Sequence, residues 1–472
     1  MSSKEVLFGD EARHKLQSGI DQMADVVKPS FGPNGKSLRF DEKLSSPKIG
    51  EGTLLKDFSI ENLGICLVKQ EAQKLHEEIG DGTTSFLILV QKMLEESFLK
   101  GSLEDNSIQI VKSLEDACQK CLKELDNLRL PVKTKKQMTS IASANSSACP
   151  LISKMVVEAF RKTGNNGQVY LEEASGCQTY ISISDGIKVS GGLFSPYFLT
   201  NKDKNIAEYN EPRIAIFDQK IHSALQLLPL LKSFIGNKHP LVIVTKEISS
   251  DALSSLSLNH QNNIIRVCPI KMIDGEKEDL AKFTGARIIS KGTTLTSDPL
   301  GSCEKFIANS QSATFIGNTR EKDKYEQIAT IRIGAYSEQE LIYKFQAFKS
   351  TLQTMQTALN EGITLGSGTA YYNVAKKLSN RMIGEDILKS ALKSIAEQII
   401  KNAGCIPPAI FHTIDSKPLS WGFNARSEKV EDLVKANIFD SVKTLKNTLR
   451  HAVSLVKTLL LTQTVITDKR ED

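Results

Sequence analysis

Residues 80 to 85 read Gly-Asp-Gly-Thr-Thr-Ser, a carboxylate between two glycines followed by three hydroxyls. That order suits a phosphate group and its Mg²⁺. The glycines let the backbone approach an oxyanion closely, the hydroxyls and amides can donate to it, and Asp81 can ligate the metal. The apolar run Phe86 to Val90 follows at once and reads as a helix whose positive end faces the anion. Gly-Asp-Gly is also an ordinary turn and Thr-Thr-Ser an ordinary helix cap, so the hexapeptide alone leaves both readings open.

A second glycine-rich bend, Pro29-Ser30-Phe31-Gly32-Pro33-Asn34-Gly35-Lys36, supplies another set of backbone amides. It follows an amphipathic run in which Leu16, Ile20, Met23, Val26 and Val27 share one helical face. A small-molecule kinase is a poor fit. The chain has no Gly-Lys-Ser/Thr phosphate loop, and the run after Ser85 lacks a lysine to reach the phosphates.

The elements that must position these bends fall into three stretches. From about Ala12 to Leu130 the pattern is mainly helical, including Leu63 to His76 and Phe86 to Leu99, and helical patterns return from Gly368 to the end. Val442, Leu445, Leu449, Val453, Val456 and Leu460 keep a three-four spacing, so this last helix should bury one face. Between the two ends, strand-like runs Ile214 to Phe217, Leu241 to Val244, Ile264 to Val267 and Arg287 to Ile289 alternate with helical segments, which predicts an inserted α/β layer.

At 472 residues the chain exceeds what one core usually holds, and 40% hydrophobic with 24% charged residues is ordinary for globular protein. Its apolar windows, such as Val453 to Val465, are too short and too interrupted to span a membrane, and the N-terminus has no signal-peptide core or Arg-rich transit segment. A cytosolic-type location, cytoplasmic in the simplest case, is the expectation. Eight cysteines lie scattered, and the close pair Cys118 and Cys121 has no second pair or nearby histidine to complete a zinc site. The charge of +5 arises from 60 basic against 55 acidic residues without a basic block, which gives little support to nucleic-acid binding.

Further segments stand in a telling order: Lys4-Glu5-Val6-Leu7-Phe8-Gly9, Ser195-Pro196-Tyr197-Phe198, Asn360-Glu361-Gly362 and Gly422-Phe423-Asn424-Ala425. Together with the two bends, and over nearly the whole chain, they resemble the large subunit of bacterial-type (group I) chaperonins. The resemblance implies a multidomain α+β fold. Residues 1–128 and 361–472 would form a mostly helical equatorial domain, 129–185 and 329–360 a small intermediate domain, and 186–328 an inserted α/β apical domain.

It also implies ATP and Mg²⁺ as cofactors. Ser30, Gly32 and Pro33 would line the phosphates, Asp81 would hold Mg²⁺, and Gly82, Thr83, Thr84 and Ser85 would wrap the phosphate oxygens. Gly366, Ser367 and Gly368 would form the far side of the pocket, with base and ribose contacts at Asn424, Ala425 and Asp440. Ser367 stands where the family has a glycine, and Arg426 where it has a small residue.

Hydrolysis is where the chain departs most. The family's water-orienting aspartate maps to Ser350, on a helix whose apolar stripe is Leu341, Phe345, Phe348, Leu352, Met355 and Leu359. A serine cannot accept a proton at neutral pH, and losing a positioned base costs on the order of 10²- to 10⁴-fold in rate. A second family aspartate aligns with Glu51, which keeps the charge with one methylene more reach. Slow or absent turnover is therefore expected.

Of the family's glycine hinges, Gly186 and Gly362 match, but a Gly-Gly pair aligns with Glu326-Gln327. A helical hairpin is missing between Gly317 and Tyr325, and an arginine used between subunits maps to Gly191. The family's apical groove maps to Leu193, Tyr197, Phe198, Leu228, Leu231, Leu253, Ser257 and Leu258. Leucines at such spacing are also what a plain core looks like. The partners implied are non-native polypeptides, a homo-oligomeric or mixed ring and a lid co-chaperonin, with no nucleic acid and no membrane. Two readings remain: an ATP-binding folding chaperonin with impaired hydrolysis, and a nucleotide-independent holdase or scaffold that kept the fold without the cycle.

Overall fold

The computed structural model describes residues 4–36, 62–100, 103–145, 150–164, 168–174, 176–202, 205–272, 277–290, 300–317, 326–379 and 381–468. The chain divides into two compact units. The first comprises residues 1–158, 173–178 and 333–472, the second residues 159–172 and 179–332.

The first unit is a helical assembly built from both ends of the chain. Its centre is the helix Thr83–Lys100, which buries Phe86, Leu87, Leu89, Val90 and Met93. Helices Gly9–Val27, Ile383–Asn402 and Val442–Leu461 pack around it, and Leu103–Asn127 packs on the last two of these. Each is amphipathic. Helix Val442–Leu461 buries Leu445, Leu449, Val453, Val456 and Leu460 in the same core, as the three-four spacing requires, and buries Val442 at its start. Strand Lys4–Phe8 pairs antiparallel with Thr464–Asp468, setting Val6 opposite Ile466 and joining the two ends of the chain. Strand Ile363–Leu365 pairs with Phe439–Ser441, so that Thr364 stands opposite Asp440. Cys118 and Cys121 lie in the core as free thiols, and burial pushes them up to about 11 and about 12.

Local signals fix where the helices that carry the site begin and end. Asn62 caps the helix Leu63–Ile79 by accepting from the Gly64 amide at 2.8 Å, and the helix stops at Gly80 in the left-handed region (φ 80°). Ser337 caps the helix Glu338–Glu361 through the Glu340 amide at 3.2 Å. That helix buries Phe348, Leu352 and Met355 of the anticipated stripe and leaves Leu341, Phe345 and Leu359 half-buried.

The second unit is a mixed sheet with helices between its parallel strands. Its main path runs Ala207–Asn210, Lys305–Ala308, Ser312–Ile316, Tyr180–Leu193, Val267–Met272, Leu241–Thr245, Arg213–Phe217 and Ile288–Ile289. The last four strands are parallel, and their buried faces read as near-continuous apolar runs. One strand differs from the sequence expectation. It starts at Val267, because Asn262 and Asn263 turn the chain (Asn263 φ 54°) and Ile264 and Ile265 only lead in. Pro269 sits inside this strand, where pairing with Tyr180–Leu193 has already ended at Ile270. Among the described residues no helix is long and apolar enough to cross a membrane.

Candidate functional site

The first unit contains a cavity of about 1030 Å³. This is at the upper end of the range usual for ligand pockets, roughly 300–1,000 Å³. Of the chain segments that meet on it, five carry the site residues expected from the sequence. The first is the bend after helix Gly9–Val27, which contributes Ser30, Gly32, Pro33 and Lys36. Asn402 ties it down, its Nδ2 donating to the carbonyls of Lys28 and Phe31 at 2.8 Å each. The second is the turn between helices Leu63–Ile79 and Thr83–Lys100, which contributes Asp81, Gly82 and Ser85.

In this turn glycine is obligatory. Gly82 has φ +86°, and a Cβ there would sit 2.4 Å from the Thr448 hydroxyl. Its amide donates to Asp81 Oδ1 at 2.6 Å. Thr83 and Thr84 form the first turn of the helix but are buried behind the cavity wall.

Ser367 and Gly368 form the third segment and Asn424, Ala425 and Arg426 the fourth. Gly366 lies beside the third, its amide donating to the Ile438 carbonyl at 3.0 Å. Ser367 adopts φ 55°, a left-handed conformation that costs a non-glycine residue about 1–2 kcal/mol. Asn424 Oδ1 accepts from the Arg426 amide at 3.0 Å, and its Nδ2 donates to the Glu431 carboxylate. The fifth segment, Ala436–Asp440, adds Asp440.

Both carboxylates line the cavity and are half-buried. Desolvation holds Asp81 above the usual carboxylate range. Burial, with the Asp81 charge nearby, pushes Asp440 up to about 7. Three hydroxyls that line the same cavity, those of Ser367, Thr444 and Thr448, are buried without a hydrogen-bond partner. Thr444 and Thr448 are only 5% and 1% exposed. Unpaired buried hydroxyls are costly, and these three, the glycine turn and Asp81 fit a phosphate-bearing ligand with a hard cation. Among the described residues no group of three or more His, Cys, Asp or Glu is placed to hold a metal, so a cation here would share Asp81 with ligand oxygens.

Ser350 lies beside the turn rather than on the cavity wall. Its hydroxyl donates to the Gly80 carbonyl. The two backbones are close: a Cβ on Gly80 would come 2.8 Å from Gln353 Oε1 and 3.2 Å from Ser350 Cα. Glu51 falls outside the described residues.

Comparison with known proteins gives this geometry a family. Residues 23–470 match the TCP-1/cpn60 chaperonin family. The chain belongs to that family. It is 31% identical over 523 residues to Chaperonin GroEL 3 of Protochlamydia amoebophila (strain UWE25), covering 99% of this chain and 98% of the relative. It is a divergent group I chaperonin, with a chaperone role in protein folding. The aligned length exceeds the 472 residues of the chain, so the relative holds segments that this chaperonin lacks.

The chaperonin's anticipated groove residues lie in the second unit, around helices Leu228–Lys232 and Ser250–Gln261 and the short turn Pro196–Phe198. Phe198 and Leu231 are core. The Phe198 ring lies 5.6 Å from that of His260, whose Nδ1 is buried without a partner and whose proton affinity burial lowers. Leu193 and Leu253 are half-buried against the core, and the Ser257 hydroxyl donates to the Ser254 carbonyl at 3.0 Å. Tyr197, Leu228 and Leu258 are exposed at 65%, 42% and 59%.

Sequence reasoning missed one wall of the cavity entirely. Helix Lys135–Asn145 lines it with Lys135, Lys136, Thr139, Ser140, Ser143 and Ala144. Their spacing marks one polar helical face, which in a sequence looks like any solvated surface. Thr444 and Thr448 were equally hidden, inside a helix whose apolar spacing reads as core.

Proposed function

We propose that this chaperonin subunit binds Mg-ATP in the cavity of its helical unit, takes non-native polypeptide on the apolar surface of its α/β unit, and hydrolyses ATP slowly. The observation that carries the nucleotide reading is the set of buried, unpartnered hydroxyls of Ser367, Thr444 and Thr448 facing the same cavity as Asp81. Chaperonins of this family are ATP-dependent, which supports it. Asp81 would hold the Mg²⁺, and the amides of Gly82, Thr83, Thr84 and Ser85 together with the Ser85 hydroxyl the phosphates. Ser30, Gly32 and Pro33 would line the phosphate path, Gly366, Ser367 and Gly368 the far side, and Asn424, Ala425 and Asp440 the nucleoside. Bound Mg²⁺ would neutralise phosphate charge and fix the geometry of the phosphate oxygens. The chain's own part is to bind and to exclude water.

Slow turnover rests on Ser350. Its hydroxyl is already committed to the Gly80 carbonyl, and it carries no carboxylate to orient a water. Clients would meet Tyr197, Leu228 and Leu258, joined by Leu225, which is 73% exposed. Assembly into homo-oligomeric or mixed rings and contact with a lid co-chaperonin are part of the same reading. The alternative, a holdase that kept the fold without the cycle, is favoured by Ser350, by Glu326-Gln327 in place of the family's Gly-Gly pair and by the hairpin missing between Gly317 and Tyr325.

Calorimetric titration of Mg-ATP into the full-length protein tests the proposal. Saturable binding that Asp81→Ala weakens at least tenfold supports it. No heat of binding to the wild-type chain leaves the holdase reading.

A further inference from the structure

The cavity's charge balance is uneven. Its acidic lining residues are Asp81 and Asp440, whereas Lys36, Lys135, Lys136 and Arg426 are basic. None of these four side chains makes an ion pair among the described residues. Two of the four stand in the first turn of helix Lys135–Asn145, which holds no acidic residue. A helix N-terminus carries partial positive charge, so adjacent lysines there are at the unfavourable end, and a bound anion would relieve both.

The position of that turn is fixed. Thr134 Oγ1 accepts from the Gln137 amide at 3.2 Å, and Gln137 Oε1 accepts in return from the amides of Lys133 and Thr134 at 2.8 and 3.0 Å. Met138, Ile141 and Ala142 are buried, which turns the Lys135, Lys136, Thr139, Ser140 and Ser143 face to the cavity. The helix packs against Glu338–Glu361, which carries Ser350, and against Phe439–Ser441, which carries Asp440. Its lysines therefore line the same cavity as the two carboxylates. The buried, unpartnered hydroxyls of Thr444 and Thr448 independently mark this cavity as built for a ligand.

We propose that Lys135 and Lys136 are phosphate-positioning residues that engage the terminal phosphate of a nucleoside triphosphate, so that the cavity distinguishes tri- from diphosphate through this helix. The assignment rests on the nucleotide reading above and adds the groups that read the state of the ligand. An ammonium beside a phosphate is a strong, charge-assisted contact, and a diphosphate lacks the group these lysines would hold.

The test is titration of Mg-ATP and of Mg-ADP into the full-length wild type, Lys135→Gln/Lys136→Gln and Lys135→Arg/Lys136→Arg, at low and at moderate salt. The glutamine pair should weaken ATP about tenfold or more and ADP by less than about threefold, with a shallower salt dependence. The arginine pair should restore ATP to within about threefold of wild type. Equal weakening of both nucleotides, or unchanged ATP affinity, overturns the lysine assignment while leaving nucleotide binding in place. A wild type that binds neither nucleotide overturns both.

Discussion

Thr448 concentrates the tension of the site in one side chain. Its hydroxyl is buried, unpartnered and within 2.4 Å of where a Cβ on Gly82 would stand. An unsatisfied buried hydroxyl costs about 1–3 kcal/mol, and valine has the same shape without it. Thr448→Val should therefore leave the ligand-free protein as stable as wild type or more stable by about 1 kcal/mol in urea unfolding, while weakening ATP. A loss of stability would mean that the hydroxyl has a structural partner. Asp440 gives a pH signature of the same kind. Its folded-state affinity for a proton, about 7, lies above the ordinary carboxylate value of 3.8. Between those values the native state holds a proton that the unfolded chain has released, so this group makes stability fall as pH rises through the window. Asp440→Asn should melt above wild type at pH 8, and the gap should close toward pH 4. A constant gap across that range would contradict it.

At the scale of elements, the contact between helix Glu338–Glu361 and the turn at Gly80 is the mechanical core of the site. Gly80→Ala would demand a left-handed alanine and push a methyl against Ser350 and Gln353. Destabilisation by about 1–3 kcal/mol with weakened ATP binding is expected, read by urea unfolding and titration. Here the reach of sequence reasoning is plain. The Gly80–Ser85 turn and the Pro29–Lys36 bend were legible because their chemistry is local: glycines, a carboxylate and hydroxyls adjacent in the chain. The wall made by Lys135–Asn145 was not, since a polar helical face carries no sign of whether it meets water or a cavity. Thr444 and Thr448 vanished into the apolar period of their helix. The strand at Val267–Met272 was misplaced because Pro269 and Lys271 break the apolar run that marks its neighbours.

At the scale of the molecule, the helical unit assembled from both termini and the α/β unit inserted between them followed from hydrophobic periodicity alone. Which apolar side chains of the α/β unit reach the surface did not, because leucine spacing cannot separate core from surface. Phe198 and Leu231 turned inward, whereas Tyr197, Leu225, Leu228 and Leu258 remained exposed. Leu228→Ser combined with Leu258→Ser should cut capture of a chemically unfolded test protein several-fold while leaving the melting temperature and ATP titration unchanged. Undiminished capture would place client binding elsewhere. One measurement tests the proposed role of Ser350 most directly: steady-state ATP hydrolysis by the full-length protein beside its Ser350→Asp variant. Slow wild-type turnover that rises on the order of tenfold or more in the variant is the result expected. Brisk wild-type turnover, unchanged by the substitution, would contradict it.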